Sequence, residues 1–461
     1  MKTLRLLGAA ASALTLAACA VGPTYHAPVE APVVISDATP AIVSSQPPEP
    51  TWWRQFGDPE LDTLVEKALA ANLDIAQAVA RLDQARAMFS GGKLDLFPHV
   101  TADGSYLRGR EQEPPFTATP LRLEQASLGF DATWELDLWG RVRHQVEGAR
   151  ADRDASIEDL EAMRISIGAE VARYYLELRG AQARRVVAEA NAQTQQETLR
   201  LTKIRNGIGY EDPVDVQSAQ ARLSATQALI PPLRAEEKRA GQRLAVLTGQ
   251  RPGTLDAELS TTPAVQPGHA TVLAVGDVTA LLRNRPDVRA AERRVAAETA
   301  RTGAAVADLF PKVNVTGFVG FLSGDVGGLF RPSGNAWAVS PAVSWPAFDI
   351  GSNLARLRAQ KAKGAESLAA YEETALTAIE DLQDAVTTYK ERQEEVARLA
   401  EQVDAARKGA SLARARFKEG DIDFLRVLDA DRTRLEAEDA LTVAQTAANT
   451  DVVAVYKALG G

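Results

Sequence analysis

The chain has 461 residues, 25% of them charged, and a formal net charge of −9. This acidic balance gives no indication of nucleic-acid binding, and the single cysteine, Cys19, leaves no partner for a disulfide within the chain. Aromatic residues make up only 6% while alanine is abundant, a composition that favours helices packed closely side by side.

The N-terminus is typical of a secreted lipoprotein. Within residues 1–18, two basic residues precede an apolar run, which predicts a signal peptide rather than a membrane span. The run ends in the string Leu-Ala-Ala-Cys at Cys19, which resembles the bacterial lipobox, in which the cysteine is lipidated and becomes the first mature residue. Ala20 stands where lipoproteins retained in the inner membrane usually carry aspartate, so the resemblance favours the outer membrane. The alternative is a chance cysteine after an ordinary signal peptide.

A recurring motif indicates an internal duplication. The string Asp-Leu-Phe-Pro at Asp95–Pro98 returns at Asp308–Pro311, an offset of 213 residues (310 − 97 for the phenylalanines). Other residues repeat at the same offset, which predicts one supersecondary unit used twice. The predicted division is a Pro-rich, lipidated linker without a core at 19–51, a first repeat at 52–250, an inter-repeat linker at 251–276 and a second repeat at 277–461.

Each repeat is predicted to begin with helices and two strands. The segments Leu61–Leu69 and Asp74–Leu94 are predicted helices, which end before Pro98 because the residue preceding a proline is pushed out of the helical region. A first strand is predicted from Val100. Between Leu128 and Leu138 apolar and polar residues alternate strictly, which predicts a strand with one apolar and one polar face. The second repeat alternates in the same way over Val313–Phe321 and Trp337–Trp345, with interruptions at Phe318 and Pro341.

The strands favour a membrane barrel. Alternation alone also fits a water-soluble sheet with two different faces, but strands of about ten residues flanked by tyrosine and tryptophan are typical of outer-membrane barrels. Four strands cannot close a barrel, since the smallest membrane barrels have about eight, and an open edge would leave backbone groups unpaired in lipid. The sequence therefore predicts an oligomer with a shared barrel. A trimer would supply about twelve strands, whereas the roughly eight of a dimer would be too narrow for a wide conduit.

Long proline-free segments predict two very long helices, Arg141–Asn206 and Ser352–Glu419. In the second, apolar residues recur at a strict spacing of seven, which indicates a coiled-coil seam. At 1.5 Å per residue, roughly 67 residues span about 100 Å, which no compact domain requires. Each long helix is predicted to end at a glycine-bearing turn and to be followed by a return helix, Asp212–Leu247 or Ile422–Leu459.

Several strings spread over nearly all of the mature chain carry a family resemblance. They are Cys19–Tyr25, Trp52–Trp53 with Phe56–Pro59, Arg243–Gly249, Arg285–Val288 and Ala304–Val313. Each string is weak by itself. In their order and spacing they resemble the outer-membrane efflux duct family, the TolC-like channels, and specifically its lipoprotein branch that serves tripartite drug pumps.

The resemblance implies an α+β membrane protein built from two internal repeats per chain. It implies a homotrimer with a twelve-stranded transmembrane β-barrel among outer-membrane lipids, continued by a long α-helical barrel in the periplasm. The implied partners are a periplasmic membrane-fusion adaptor and an inner-membrane pump of the resistance-nodulation-division type, with the protein as a passive exporting duct. The alternative from the residues is a lipid-anchored periplasmic coiled-coil scaffold or adaptor without a pore.

The segment Asp423–Asp431 resembles the family segment after the second tip turn, whose leucine and aspartate constrict the periplasmic end of the tunnel. The matching residues are Leu425 and Asp429. The resemblance implies a gate closed by leucine side chains and a ring of carboxylates, and acidic rings also select cations.

Neighbouring charges leave open which carboxylates face a pore. Asp421 and Asp423 lie at a helix start, where capping is the simpler role, and Asp431 and Arg426 lie close by. At the offset of 213, Pro213-Val214-Asp215 stands opposite Arg426-Val427-Leu428, so the gate is predicted in the second repeat only.

The turns after the long helices are predicted to contact the adaptor. The residues concerned are Gly207, Ile208, Gly209, Gly420 and Asp421. The alternative is purely structural, because glycine commonly ends a helix in the left-handed conformation. Pro231 and Pro232 are predicted to kink the first return helix, and no binding role follows for them.

Other chemistry is not indicated. The four histidines lack metal-binding spacing, and neither a phosphate loop nor a nucleophile motif occurs. We therefore expect neither enzymatic activity nor a cofactor. The arginines between 283 and 294 indicate a solvated helix face rather than a nucleic-acid patch.

Overall fold

The computed structural model describes residues 20–28, 43–44, 46, 49–111, 121–261, 268 and 272–461. The predicted signal peptide, Cys19 and part of the predicted linker lie outside these residues. The chain divides into two compact units, described here as far as their residues allow. The strand unit comprises 1–29, 80–158 and 289–373, and the helical unit comprises 30–79, 159–288 and 374–461.

The order of elements repeats once along the chain, as the duplication predicts. The strands are β1 (Val43–Ser44), β2 (His99–Glu111), β3 (Leu121–Leu136), β4 (Leu273–Ala274), β5 (Lys312–Ser323) and β6 (Asn335–Ser344). The helices are α1 (Pro59–Ala71), α2 (Leu73–Leu94), α3 (Arg141–Gly207), α4 (Pro213–Leu247), α5 (Val278–Asn284), α6 (Pro286–Ala307), α7 (Ile350–Glu419) and α8 (Phe424–Leu459). After a two-residue strand, each half thus contains two helices, two longer strands, a long helix and a return helix, in the predicted order.

The two predicted hairpins form a single antiparallel sheet in the strand unit, with the order β2-β3-β5-β6. The repeats meet where β3 pairs with β5, with Gly129 opposite Gly320. β3 begins at Leu121, earlier than the predicted Leu128, because its first residues pair regularly with β2 although their apolar side chains fall on the other parity. Among the described residues, β2 and β6 each pair on one side only.

One face of this sheet exposes the alternating apolar residues. Phe130, Val319 and Val343 are exposed, and Trp337 has 78% of its surface exposed. A continuous apolar face of this kind is unfavourable in water and suits lipid. Phe318 interrupts the pattern because its ring covers Gly129 on the opposite face, where an added Cβ would lie 2.6 Å from the ring.

The repeated Asp-Leu-Phe-Pro motif fixes a tryptophan at the end of each hairpin. The indole N–H of Trp134 donates to the Leu96 carbonyl at 3.1 Å, and that of Trp345 donates to the Leu309 carbonyl at 3.1 Å. Tryptophan with one bonded polar atom and an apolar body is typical of membrane interfaces. The two copies of the motif therefore perform the same structural task.

The long helices are confirmed. α3 has 67 residues and α7 has 70, and each contributes residues to both units. α4 continues through Pro231 and Pro232, which lie inside it. None of the helices in the described part of the chain combines the length and apolarity needed to cross a bilayer.

Equivalent residues of the two repeats tie down the ends of the return helices within the helical unit. Asn72 Nδ2 donates to the Leu247 carbonyl at 2.9 Å, at the end of α4. Arg285, 213 residues later (285 − 72), donates from Nη1 to the Ala458 carbonyl at 3.0 Å, at the end of α8. Both side chains are buried, so the duplication is preserved in polar contacts as well as in the order of elements.

Candidate gate and docking tips

The first tip closes α3 with a Schellman motif. Gly209 adopts a left-handed backbone with φ of 80°, Tyr210 N–H donates to the Arg205 carbonyl at 2.9 Å, and Gly209 N–H donates to the Asn206 carbonyl at 3.0 Å. This pair of hydrogen bonds satisfies carbonyls that the helix end leaves free. Gly207 is the last helical residue of α3, so the glycine that the turn requires is Gly209.

The second tip has the same geometry around Gly420. Its φ is 86°, Asp421 N–H donates to the Arg416 carbonyl at 3.0 Å, and Gly420 N–H donates to the Phe417 carbonyl at 3.1 Å. The structural counterpart of Gly420 is therefore Gly209, an offset of 211 (420 − 209), and the pairing with Gly207 expected from the offset of 213 is wrong.

The return helices confirm this shift of two residues. Asp212 caps α4, accepting from Val214 N–H at 2.8 Å, and Asp423 caps α8, accepting from Arg426 N–H at 3.0 Å. The caps are again 211 residues apart (423 − 212). Leu425 thus corresponds to Val214 and Asp429 to Ser218, not to the residues that stand opposite them at an offset of 213.

The five predicted tip residues are all exposed, and the first tip adds two that the sequence did not single out. Tyr210 has 79% of its surface exposed, and Val214 is also exposed beside Ile208. The second tip is less apolar outside, since at the offset of 211 it carries Glu419 and Asp421 where the first tip has Ile208 and Tyr210. The two tips therefore present different surfaces.

Charge at the first tip is partly withdrawn from solvent. Glu211 lies 3.4 Å from Arg205, and burial raises the pKa of the Glu211 carboxyl although the arginine acts in the opposite direction. The exposed surface of this tip is consequently dominated by apolar groups.

The predicted gate residues share one face of α8, since they are one turn apart. Leu425 has 57% of its surface exposed, and the Asp429 side chain is 65% exposed, with Oδ1 2.9 Å from Arg432 Nη2. The adjacent face carries Phe424 and Leu428, which belong to a buried cluster with residues of α3 and α4. Leu425 and Asp429 therefore point away from the core of the helical unit.

Asp431, the other carboxylate near the gate, has a different role. Its side chain is only 6% exposed, and its Oδ1 lies 2.6 Å from Arg414 Nη2 of α7. It cannot line an open passage and instead joins α7 to α8. The helical spacing could have predicted that Asp431 is buried, because it follows the apolar residues Phe424 and Leu428 at intervals of seven and three, which places all three on one face of α8.

The first part of the predicted linker is packed rather than free. In the strand unit, Val21 N–H donates to the Trp139 carbonyl at 3.1 Å, and His144 Nε2 lies 3.0 Å from the Val21 carbonyl. Tyr25 donates to Glu292 at 2.7 Å. The composition of residues 19–51 could not predict these contacts, because the partner residues lie far along the chain. In the described residues no group of acidic, histidine or cysteine side chains is placed to hold a metal ion.

Comparison with known proteins agrees with this architecture. A family model described as outer membrane efflux protein matches residues 64–250 and 278–461. The outer membrane protein OprJ of Pseudomonas aeruginosa is 31% identical over 455 residues, covering 97% of this chain and 94% of that protein. An antibiotic efflux pump outer membrane protein of Pseudomonas putida, ArpC, is 31% identical over 478 residues, covering 100% and 96%.

Solved structures agree as well. The outer-membrane channel OprN superposes with a TM-score of 0.93 at 43% identity, covering 96% of this chain and 99% of that one. The open state of the MtrE channel of Neisseria gonorrhoeae gives a TM-score of 0.84 at 27% identity, covering 96% and 98%. With two alternating hairpins, two long helical pairs and these matches, the chain belongs to the outer membrane efflux protein family and is an outer-membrane efflux channel.

Proposed function

We propose that three copies of the chain close a twelve-stranded transmembrane barrel continued by a helical periplasmic tunnel. The observation that carries this proposal is the four-stranded sheet with an exposed apolar face and two open edges, β2 and β6. Because the four strands alternate in direction, β6 of one copy meets β2 of the next antiparallel, so identical copies join head to tail in a closed ring. Closure satisfies edge groups that would each cost several kcal/mol in lipid.

The N-terminal anchor is a lipid on Cys19, the cysteine of the lipobox-like string. The segment that follows it is held within the strand unit by hydrogen bonds of Val21 and Tyr25, which supports a short tether between the lipid and the sheet. Cys19→Ala is expected to abolish lipidation and to leave trimers assembling, because the barrel is the main anchor. Mass spectrometry of the mature N-terminus tests the first part, and the SDS-resistant oligomer tests the second.

The channel is closed at its periplasmic end by Leu425 and Asp429. Leu425 closes the passage sterically, and three Asp429 carboxylates form a ring whose charge is partly compensated by Arg432, 2.9 Å away. Separation of the α8 helices on pump assembly opens the ring. The duct receives small molecules from an inner-membrane resistance-nodulation-division pump through a periplasmic adaptor, which docks at the tips around Gly209 and Gly420.

Single-channel conductance of the purified full-length protein in planar bilayers tests this function. Leu425→Ala combined with Asp429→Ala is expected to raise conductance severalfold. The structurally matched control is Val214→Ala with Ser218→Ala, at the equivalent positions of the first return helix, which should leave conductance unchanged. An unchanged conductance in the Leu425 and Asp429 variant excludes this constriction, and a monomeric protein without pore activity excludes the duct.

A further inference from the structure

An aromatic pair joins the two hairpins of the chain at one end of the sheet. In the strand unit, Trp139 follows β3, and Phe310 precedes β5, the strand that pairs with β3. The two rings stack with their centroids 4.8 Å apart, and Trp139 Nε1 donates to the Pro311 carbonyl at 2.9 Å. All three residues are half-buried. This contact, the intrachain junction, therefore connects the end of the first hairpin to the start of the second.

The counterpart of Trp139 in the second repeat is Phe348. After the second strand of each hairpin, one backbone N–H donates to the carbonyl two residues earlier at 2.8 Å, that of Leu138 in the first repeat and that of Ala347 in the second. These residues are 209 apart (347 − 138), and the long helices α3 and α7 also begin 209 residues apart (350 − 141). At this offset Trp139 corresponds to Phe348 (348 − 139), so both repeats carry an aromatic ring at this point.

The second pair of rings is not joined within one chain. The repeated Asp-Leu-Phe-Pro motif makes Phe97 the counterpart of Phe310. Phe348 is fully exposed and Phe97 has 63% of its surface exposed, whereas their counterparts in the intrachain junction are half-buried. Phe97 precedes β2 and Phe348 follows β6, the two edge strands of the sheet. Each exposed ring therefore lies where a neighbouring copy of the sheet would bring the other.

The pairing within the sheet fixes the register in which a neighbouring copy would join. The two hairpins have the same internal pairing when β5 is compared with β2 at an offset of 213 (312 − 99) and β6 with β3 at an offset of 211 (344 − 133). Between the hairpins, Asp131 pairs with Phe318. The same offsets place Ala342 of β6 (131 + 211) opposite Ser105 of β2 (318 − 213). Both residues lie on the face opposite to the exposed apolar one, so this register keeps the apolar face continuous, whereas a shift of one residue would not.

We propose that the second junction forms between chains, where Phe348 of one copy packs against Phe97 of the next and β6 pairs with β2 with Ala342 opposite Ser105. This inference rests on the proposed ring of three copies and adds the contact that sets their alignment. Phenylalanine has no N–H to donate, so the contact between chains is apolar only, unlike the intrachain junction. Each copy supplies both rings from opposite edges of its sheet, so every boundary in a closed ring receives one such pair.

Disulfide trapping in the full-length protein tests the register. Within one chain β6 and β2 are three interstrand spacings apart, about 14 Å, which a disulfide cannot bridge, so a bond between them must join two copies. Ala342→Cys with Ser105→Cys should give covalent trimers on oxidation, which survive heating in SDS and are lost on reduction. Ala342→Cys with Asp103→Cys or with Leu107→Cys should lose this product, because diagonal neighbours lie about 7–8 Å apart. Each single-cysteine variant controls for bonding to Cys19, the one native cysteine.

A double-mutant cycle tests the aromatic contact. Phe348→Ala and Phe97→Ala should each lower the temperature at which the SDS-resistant oligomer dissociates. The double variant should dissociate close to the less stable single variant, because both changes remove the same contact. Phe330, 71% exposed beyond the other end of β6, provides the control. The effects of Phe330→Ala and Phe348→Ala should add, because the two residues are far apart.

The outcomes separate this inference from the proposed duct. The inference is overturned if conducting trimers cross-link no better through the matched cysteine pair than through a shifted pair. It is also overturned if the effects of Phe348→Ala and Phe97→Ala simply add. In both cases the trimeric duct still stands. A native protein that is monomeric and does not conduct overturns the duct and the junction together.

Discussion

Loss of the Arg414–Asp431 ion pair should loosen the helix pair that carries the proposed gate. The Asp431 side chain is 6% exposed and that of Arg414 36%, with 2.6 Å between Asp431 Oδ1 and Arg414 Nη2. Arg414→Met leaves a buried carboxylate without its partner, which typically costs about 3–5 kcal/mol. Because water reaches the arginine side of the pair, we expect the lower end, about 3 kcal/mol. That corresponds to about a hundredfold increase in local opening.

Hydrogen exchange of backbone amides measures this opening. In Arg414→Met, exchange should accelerate about a hundredfold in the parts of α7 and α8 that flank the pair, and channel openings should become more frequent. Adding Asp431→Leu should restore exchange to within about 1 kcal/mol of the native protein, because an apolar pair replaces the ionic one at little cost.

The exposed pair Arg398–Glu401, with side chains 80% and 71% exposed, provides a control on α7. Arg398→Met should change local opening by less than about 1 kcal/mol. If Arg414→Met exchanges at the native rate, or if the double variant is as open as the single one, the buried pair does not hold α7 to α8 and the reasoning is refuted.

Three further outcomes are expected. Arg285→Met should lower the free energy of unfolding by about 3 kcal/mol in a thermal or denaturant melt, since it leaves the Ala378 and Ala458 carbonyls without the donor that buried Arg285 supplies and also removes the ion pair with the partly exposed Asp287. Burial alone would raise the pKa of Asp287, but the hydrogen bond and charge of Arg285 hold it below its ordinary 3.8. This pair therefore stabilises the fold above about pH 4, and its contribution is lost as pH falls below 3.8; the acid sensitivity should weaken in Arg285→Met. Burial raises the pKa of Tyr389 to about 12, against about 10 in the unfolded chain. The neutral phenol therefore stabilises the folded state fully below pH 10, and this contribution declines as the pH rises toward 12. In Tyr389→Phe, the melting temperature should depend less on pH in this alkaline range. Gly209→Ala should destabilise the first tip by about 1 kcal/mol because of its left-handed backbone, whereas Gly207→Ala, which is helical with open space around it in the described structure, should be neutral or stabilising in the same melts.

Local patterns in the sequence were sufficient to locate most elements. A strict alternation identified β3 and β6, and the absence of proline identified α3 and α7. The start of β3 at Leu121 could not be predicted, because its first residues are held by pairing with β2 and not by a continuing apolar face. The contact between β3 and β5 joins strands far apart in sequence, and no local pattern specifies such a partner.

The sequence was sufficient to select the candidate gate residues, but not to decide which positions of the two repeats are equivalent at the tips. The resemblance selected Leu425 and Asp429, and the structure exposes both. The distinction between Asp429 and Asp431 depends on which face of α8 meets α7, and the pairing of Gly209 with Gly420 depends on a shift of two residues at the tips. Both features follow from packing between helices and cannot be predicted from a constant repeat offset.

The shift at the tips also separates the tasks of the two repeats. At an offset of 211, the ion-paired residues Arg414 and Asp431 correspond to Lys203 and Gln220, which cannot form an ion pair. The first repeat lacks an ion pair at these two positions, exposes Ile208 and Tyr210 at its tip, and has two prolines inside its return helix. On the proposed gate, the second return helix must move between two arrangements, and an ion pair that can open is suited to that task. On the proposed docking, the first tip needs only to offer a fixed apolar surface to the adaptor. The two repeats thus differ most at the ends of their long helices, where the pairing of the strands no longer constrains them.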